Sequence, residues 1–139
     1  QYLKLLARVA PAFKEIGVSA VTISTDTPDF QKGWFDKYQS QMPFLYDNGQ
    51  MLNNYGADTV VSTLGNSAVA DRKTVVIGKD GKIGGLFPAV GWEGDEEAYV
   101  AHIIQVGQFL GGNPEKFYNL LVANGKSVGD FFGAAMNKV

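Results

Sequence analysis

The side chains that most often perform catalysis or bind metal ions are sparse in this chain. Its 139 residues include no cysteine and a single histidine, His102. A lone histidine within a helical pattern argues against a metal site or a catalytic triad, because both need several such groups close together. Glu93, Asp95, Glu96 and Glu97 indicate a helix start favoured by the helix dipole rather than an acid–base pair. The residues alone therefore indicate no nucleophile and no metal site.

One glycine-rich segment has the composition of a phosphate-binding loop, but its position argues against that role. Residues 78–82 lie between two predicted strands, whereas a phosphate loop leads from a strand into the N-terminus of a helix. No Gly-x-Ser-x-Gly motif of a serine hydrolase occurs either. We predict that the chain binds no cofactor.

The overall composition is that of a soluble globular protein with one domain. Hydrophobic residues make up 45% of the chain and charged residues 19%, enough to bury a core. The net charge is −2 and the lysines and arginines are scattered, which argues against binding to nucleic acid or to an anionic membrane surface. No apolar run approaches the roughly 20 residues that span a bilayer, so the chain is predicted not to cross a membrane.

The first half of the chain alternates helical and strand patterns. Apolar spacing predicts a helix over 2–16 that ends at Gly17, followed by a buried strand over 18–24. Thr27 and Pro28 predict the start of a second helix. Four aromatic side chains share one face of that helix and are expected to pack in the core: Phe30, Trp34, Phe35 and Tyr38.

The second half predicts a hairpin and a long helix. Residues 43–47 favour an edge strand, a short helix precedes Gly56, and the polar content of 57–71 predicts a loop. Strands over 74–78 and 82–86 flank Asp80-Gly81, which favours a type I′ turn with two positive φ angles. A helix beginning at Asp95 carries one apolar stripe: Tyr99, Ile103, Val106 and Leu110. Together these elements predict an α/β fold with a mixed sheet between layers of helices.

The tail from residue 111 predicts two short amphipathic helices, one beginning near Asn113 and one near Ser127. Their apolar faces could bind a protein partner, or they could pack back on the sheet of their own domain. The candidate partner-binding residues are Phe117, Leu121, Phe131 and Phe132.

Several segments, in this order and spacing, resemble the peroxiredoxins, the alkyl hydroperoxide reductase and thiol-specific antioxidant family of the redoxin group. The resemblance covers roughly residues 1–105, and each segment is weak alone but specific in combination. The segments are Thr22-Ile23-Ser24-Thr25-Asp26, Pro43-Phe44-Leu45-Tyr46-Asp47, Tyr55-Gly56 and Arg72-Lys73-Thr74-Val75-Val76-Ile77-Gly78-Lys79-Asp80-Gly81-Lys82-Ile83.

The resemblance implies a thioredoxin-like fold and a thiol-dependent peroxidase. In such proteins a cysteine thiolate at the first turn of the helix matching residues 2–16 attacks the peroxide O–O bond. The helix N-terminus and a nearby arginine lower the pKa of that thiol. Arg72 stands where peroxiredoxins carry this arginine, and the family implies peroxide and a thiol reductant as substrates. The alternative for Arg72 is a surface arginine paired with Asp71 or Asp58.

The chain also departs from the family pattern. No Pro-x-x-x-Thr/Ser-x-x-Cys segment is present, and the first-helix positions of a resolving cysteine hold other residues, Leu3 to Leu6. In the thioredoxin arrangement, the strand before the catalytic cysteine lies between the strand at 18–24 and the hairpin at 74–86. The fold is therefore expected to be a thioredoxin-like mixed sheet without its N-terminal central strand. We expect further sequence upstream, or a strand donated by a partner.

Three functional hypotheses follow, for a partial redoxin domain over 1–110 with a helical extension over 111–139. The first is a peroxidase, enzymatic only if a cysteine lies upstream of Gln1, because the chain as given has none. The second is a non-catalytic interaction or scaffold subunit of a larger assembly. The third is a thioredoxin-like binding domain unrelated to redox chemistry. The compartment stays open, since plastids and the cytosol both house such proteins.

Overall fold

The computed structural model describes residues 2–56, 58–61, 67–70, 72–90 and 96–122. The elements in these ranges confirm the predicted α/β class. In chain order they are α1 (Tyr2–Glu15), β1 (Thr22–Ser24), α2 (Pro28–Tyr38), β2 (Phe44–Tyr46), α3 (Gln50–Asn54), β3 (Asp58–Val61), β4 (Ser67–Ala70), β5 (Arg72–Ile77), β6 (Ile83–Val90), α4 (Glu96–Phe109) and α5 (Pro114–Leu121).

These elements belong to two units, which we call the helical unit and the strand unit. The helical unit comprises the described residues within 1–20, 38–42 and 93–139, and therefore α1, α4 and α5. The strand unit comprises those within 21–37 and 43–92. None of the described helices has the length and apolar character needed to cross a membrane.

Helix α1 ends where the sequence predicts. Its apolar face, which includes Val9 and Phe13, is buried. Gly17 is left-handed, with φ of +76°. The Gly17 amide donates to the Lys14 carbonyl and the Val18 amide to the Phe13 carbonyl. This is the Schellman pattern, in which glycine stops a helix and satisfies its last carbonyl groups.

Helices α4 and α5 pack against α1 within the helical unit. The predicted stripe of α4 is buried at Tyr99, Ile103 and Val106. The Phe117 ring of α5 meets the Phe13 ring of α1 edge-on, with 5.0 Å between ring centroids. Aromatic pairs favour this geometry, so α5 is held by specific packing as well as by burial.

The predicted start of α5 is confirmed, but part of its predicted role is wrong. The Asn113 side chain accepts a hydrogen bond from the Glu115 amide at 3.0 Å, which caps the helix just before Pro114. Phe117 and Leu121, predicted to bind a partner, are only 1% and 3% exposed. They are buried because α1 and α4 of the same chain present an apolar surface to them. The other two candidates, Phe131 and Phe132, lie outside the described residues.

Strands β1 and β2 form a parallel pair, connected by α2. Thr22 lies opposite Phe44 and Ser24 opposite Tyr46, and the Thr22 amide donates to the Pro43 carbonyl at 3.0 Å. The strand predicted over 18–24 begins only at Thr22. The reason is local: the Val18 amide completes the C-terminus of α1 and is not available to a sheet.

The prediction of a buried aromatic face on α2 is wrong. The only buried residue of this helix is Gln31, whereas Phe30 is 55% exposed. Phe30 stacks edge-on with Trp34, and Phe35 stacks with Phe44 of β2. A pair of three-residue strands is too small a surface to cover four aromatic side chains, so the aromatic set divides between β2 and solvent.

The loop predicted over 57–71 contains a hairpin instead. Strands β3 and β4 pair antiparallel, with Thr59 opposite Val69 and Val60 opposite Ala68. Threonine and valine are β-branched and favour strands, so counting threonine as a loop residue obscured the pattern. Residues 62–66, between the two strands, lie outside the described residues.

Strands β5 and β6 form the predicted hairpin, but with a different turn. Only Gly81 among the turn residues has positive φ, at +78°, so the turn is not type I′. The Gly81 amide donates to the Gly78 carbonyl, and the Gly78 amide to the Lys82 carbonyl. This turn reverses the chain with a single left-handed residue, Gly81, so Asp80 does not need a positive φ.

The strand pairs are separate from one another. Among the described residues, β1 pairs with β2, β3 with β4 and β5 with β6, and no strand pairs with both β1 and β5. The hairpin also leaves apolar side chains exposed, at Ile77, Ile83 and Leu86. The mixed strand directions match the prediction, and the parallel pair and the β5–β6 hairpin each retain a sheet edge.

Candidate functional site

Arg72, the residue predicted to stabilise a thiolate, is the first residue of β5 and lies opposite Val90 of β6. The ladder is irregular just after it. Thr74 pairs with Phe87, so one residue of β5, Lys73, lies opposite two residues of β6, with a register shift between Arg72 and Thr74. A bulge of this kind leaves one residue unpaired and weakens the ladder locally.

Lys73 connects two of the motif segments that are separate in the sequence. Its Nζ donates to the Gly56 carbonyl at 3.2 Å and lies 3.5 Å from the Tyr55 carbonyl. These carbonyls follow the C-terminus of α3, where a cation is favoured. Lys73 is thereby tied to the Tyr55-Gly56 turn, a contact that sequence reasoning did not anticipate.

The polar residues of the other motif segments have structural roles. The Ser24 hydroxyl accepts a hydrogen bond from the Asp26 amide at 3.2 Å. One carboxylate oxygen of Asp47 accepts from the Gly49 amide at 2.9 Å and the Leu52 amide at 3.2 Å. Asp47 therefore organises the start of α3, and its carboxylate is occupied by backbone donors.

Gln31 is a second residue that sequence reasoning missed. Its amide nitrogen donates to the Asp26 carbonyl at 2.7 Å and to the Leu45 carbonyl at 3.1 Å. It therefore ties the segment after β1 to β2, and it is only 4% exposed. A glutamine among four aromatic residues on one helix was the available signal, because a buried polar side chain is retained where it has partners.

The groove beside Gln31 has an apolar character. It measures about 350 Å³ and is lined by residues of α2 and β2, among them Lys32, Phe35, Phe44 and Leu45. No carboxylate and no histidine lines this groove. Its lining, mostly of aromatic and aliphatic side chains, therefore supports contact with an apolar group.

His102 lies in the helical unit and is buried on α4. Burial lowers the pKa of His102 from its usual 6.5 to about 4, because the charged form loses solvation. The imidazole is therefore neutral at pH 7. Within the part of the chain that the structure describes, no three acidic, histidine or cysteine side chains are grouped closely enough to hold a metal ion.

Comparison with known proteins connects this chain to one family. The sequence model of the AhpC/TSA family matches residues 1–85, more than half of the chain, and this stretch includes Arg72, Lys73 and the Tyr55-Gly56 turn. Alkyl hydroperoxide reductase C of Bacillus subtilis (strain 168) is 29% identical over 107 residues, which cover 74% of this chain and 55% of that protein.

The chain thus spans about half the length of the curated relative that it matches. The predicted resemblance is confirmed, and the mixed α/β elements form a partial thioredoxin-like arrangement with a parallel strand pair and an antiparallel hairpin. Because the family match extends over more than half of its length, the chain belongs to the AhpC/TSA family.

Proposed function

We propose that this chain is the redoxin part of a thiol-dependent peroxidase in which Arg72 stabilises the reacting thiolate. The observation that carries the proposal is the family match over residues 1–85, with Arg72 at the first position of β5. The chain holds no cysteine, so the nucleophile would come from a segment that precedes Gln1. The division into a redoxin part over 1–110 and an extension over 111–139 stays a prediction.

The chemistry of such a site balances as follows. The thiolate attacks one peroxide oxygen, so that an S–O bond forms and the O–O bond breaks, leaving a sulfenic acid. The departing oxygen takes up a proton and leaves as water or an alcohol. Two equivalents of a thiol reductant then return the sulfenic acid to the thiol, becoming a disulfide and releasing water. The guanidinium of Arg72 would favour both the thiolate and the negative charge that develops on oxygen.

The open sheet edges support the position of the cysteine-bearing segment. Among the described residues, β1 and β5 each have one strand partner and neither pairs with the other. An extended segment that paired with both strands would satisfy backbone groups of each. That segment would come from the same polypeptide or from a partner, and it is the position that the family resemblance implies for the strand before the cysteine.

The direct experiment measures peroxide consumption by the native full-length protein with a thiol reductant. We expect consumption that stops after thiol alkylation. Arg72→Lys is expected to lower the second-order rate constant about a hundredfold, since lysine does not reproduce the guanidinium geometry. The matched control is Arg8→Lys in α1, whose side chain bonds to the Leu121 carbonyl at 3.5 Å in the helical unit. Consumption that is absent, or insensitive to alkylation, would contradict the proposal.

A non-catalytic scaffold subunit is the second candidate function. It is favoured by the absence of cysteine from all 139 residues and by the exposed apolar side chains of the hairpin, Ile77, Ile83 and Leu86. In that case the native protein would consume no peroxide and would be isolated in a stable complex. Replacing Ile83 by lysine would then release it from the complex, as light scattering would measure.

A further inference from the structure

The backbone ladder alone holds Arg72 weakly. Between Arg72 and Thr74 the register shifts, because two residues of β6 lie opposite the single residue Lys73 of β5. One of the residues of β6 at this bulge is Pro88, which has no amide hydrogen to donate. The start of the β5–β6 ladder therefore lacks the regular backbone hydrogen bonds that would hold Arg72 in a fixed position.

Lys73 supplies a second attachment at the same point. Its ammonium group donates to the Gly56 carbonyl at 3.2 Å, 17 residues earlier in the chain, and lies near the Tyr55 carbonyl. Both carbonyls lie just beyond the last turn of α3, where carbonyl groups lack helical partners. A cation there gains both hydrogen bonds and a favourable helix dipole.

The attachment point is itself well held. The Tyr55 amide donates to the Met51 carbonyl and the Gly56 amide to the Asn53 carbonyl. At its other end α3 is anchored by Asp47, whose carboxylate accepts from two backbone amides, and Leu52 is buried. Because Lys73 bonds to this well-held turn, the backbone of β5 at Lys73 is held in place, and so is the backbone of its neighbour Arg72.

We propose that Lys73 is a positioning residue for Arg72: by bonding to the Gly56 carbonyl, it fixes the irregular start of β5 and thereby the backbone from which Arg72 projects. This inference rests on the proposed function, since it assigns Lys73 to the same site. Lys73 itself does not contact the reacting atoms. Its effect is on the geometry with which the guanidinium meets the thiolate and the peroxide.

The experiment uses the native full-length protein with three substitutions. Lys73→Met keeps the aliphatic stem and removes the charge, Lys73→Arg retains hydrogen-bond donors, and Lys79→Met in the exposed β5–β6 turn is the matched control. We expect Lys73→Met to lower the second-order rate constant for peroxide roughly ten- to hundredfold, the range that follows a misplaced catalytic group. Lys73→Arg should recover most of the rate, and Lys79→Met should equal the wild type.

Two further readouts separate positioning from general stability. In Lys73→Met, the rate should rise with pH at a higher midpoint than in the wild type, because a displaced guanidinium stabilises the thiolate less. Hydrogen exchange should accelerate at the amides of residues 73 and 74, while the thermal unfolding midpoint stays near that of Lys79→Met.

The outcomes distinguish the two proposals. If Arg72→Lys is slow but Lys73→Met equals Lys79→Met in rate, pH midpoint and exchange, the positioning role is overturned and the proposed function stands. If Arg72→Lys matches the wild type, or the wild type consumes no peroxide, the proposed function is overturned and the positioning role with it.

Discussion

The helical unit and the strand unit bury their apolar side chains to very different extents. Among the side chains whose burial the structure describes, which do not include those of β3 and β4, all the buried apolar ones except Leu52 belong to the helical unit. Most of the large exposed apolar residues belong to the strand unit, among them Phe30, Leu45, Ile77 and Ile83. The difference separates a packed three-helix core from strands that have apolar surface left over.

This difference follows from how helices and strands satisfy their backbones. A helix makes its hydrogen bonds within itself, so three amphipathic helices can complete a core from their side chains alone. A strand makes its backbone hydrogen bonds only with neighbouring strands, and an isolated two-stranded sheet is only marginally stable. The strand unit is therefore the region where an added strand would have the largest effect, as the proposed function requires.

The largest expected effect contrasts one phenylalanine from each unit. Phe117→Ala should lower the free energy of unfolding by about 3–5 kcal/mol, because it empties a fully buried site beside Phe13. Phe30→Ala, at an exposed position, should cost less than about 1 kcal/mol. Denaturant unfolding of the two variants measures both. Equal losses would show that the strand unit is as well packed as the helical unit.

The next effect is the pH dependence that His102 gives to the helical unit. Its pKa is about 4 when folded and 6.5 when unfolded, so between these values the unfolded chain binds the proton more readily. The free energy of unfolding should therefore be highest above pH 6.5. It should fall by about 3 kcal/mol in total as the pH decreases from 6.5 to 4, and stay constant below pH 4. Denaturant unfolding measures this between pH 7 and pH 4: the free energy of unfolding should decline less in His102→Gln than in the wild type. Parallel declines in the two proteins would show that burial of His102 does not cause the pH dependence.

A smaller effect contrasts two glycines inside helices. A Cβ at Gly107 of α4 would lie 2.8 Å from the Phe117 ring, so Gly107→Ala should destabilise the helical unit by about 1–3 kcal/mol. At Gly33 of α2 nothing lies within 4 Å of an added Cβ. There, alanine should stabilise the helix by about 0.5–1 kcal/mol. Thermal unfolding of both variants compares them, and a gain in stability from Gly107→Ala would contradict close packing at α4.

Helix boundaries were predictable because their chemistry is local. Gly17 ends α1 and Asn113 caps α5, each through bonds to residues within a few positions along the chain. The β3–β4 hairpin, in which Thr59 lies opposite Val69, was missed because the serine, threonine, glycine and asparagine content of 57–71 was taken to indicate a loop. The buried face of α2 was misjudged for a related reason: burial depends on how much surface the neighbouring sheet offers.

The candidate site was predictable only in part. The motif order placed Arg72 directly before a strand predicted over 74–78, and the structure includes it as the first residue of β5. The contact from Lys73 to Gly56 joins residues far apart in sequence, and the bonds of Gln31 join two segments on either side of α2. Side-chain hydrogen bonds of this kind arise from the packing of elements, so no spacing rule reveals them.

Local side-chain chemistry and motif order were enough to identify the α/β class, the redoxin family and the helix ends, because these depend on neighbours along the chain and on inherited sequence. Folding in three dimensions decided which apolar faces are covered. It buried Phe117 and Leu121 against α1 and α4, left Phe30 and the hairpin exposed, and brought Lys73 to Gly56. Burial and long-range bonds depend on which surfaces meet, and that is a property of the packed chain rather than of any one segment.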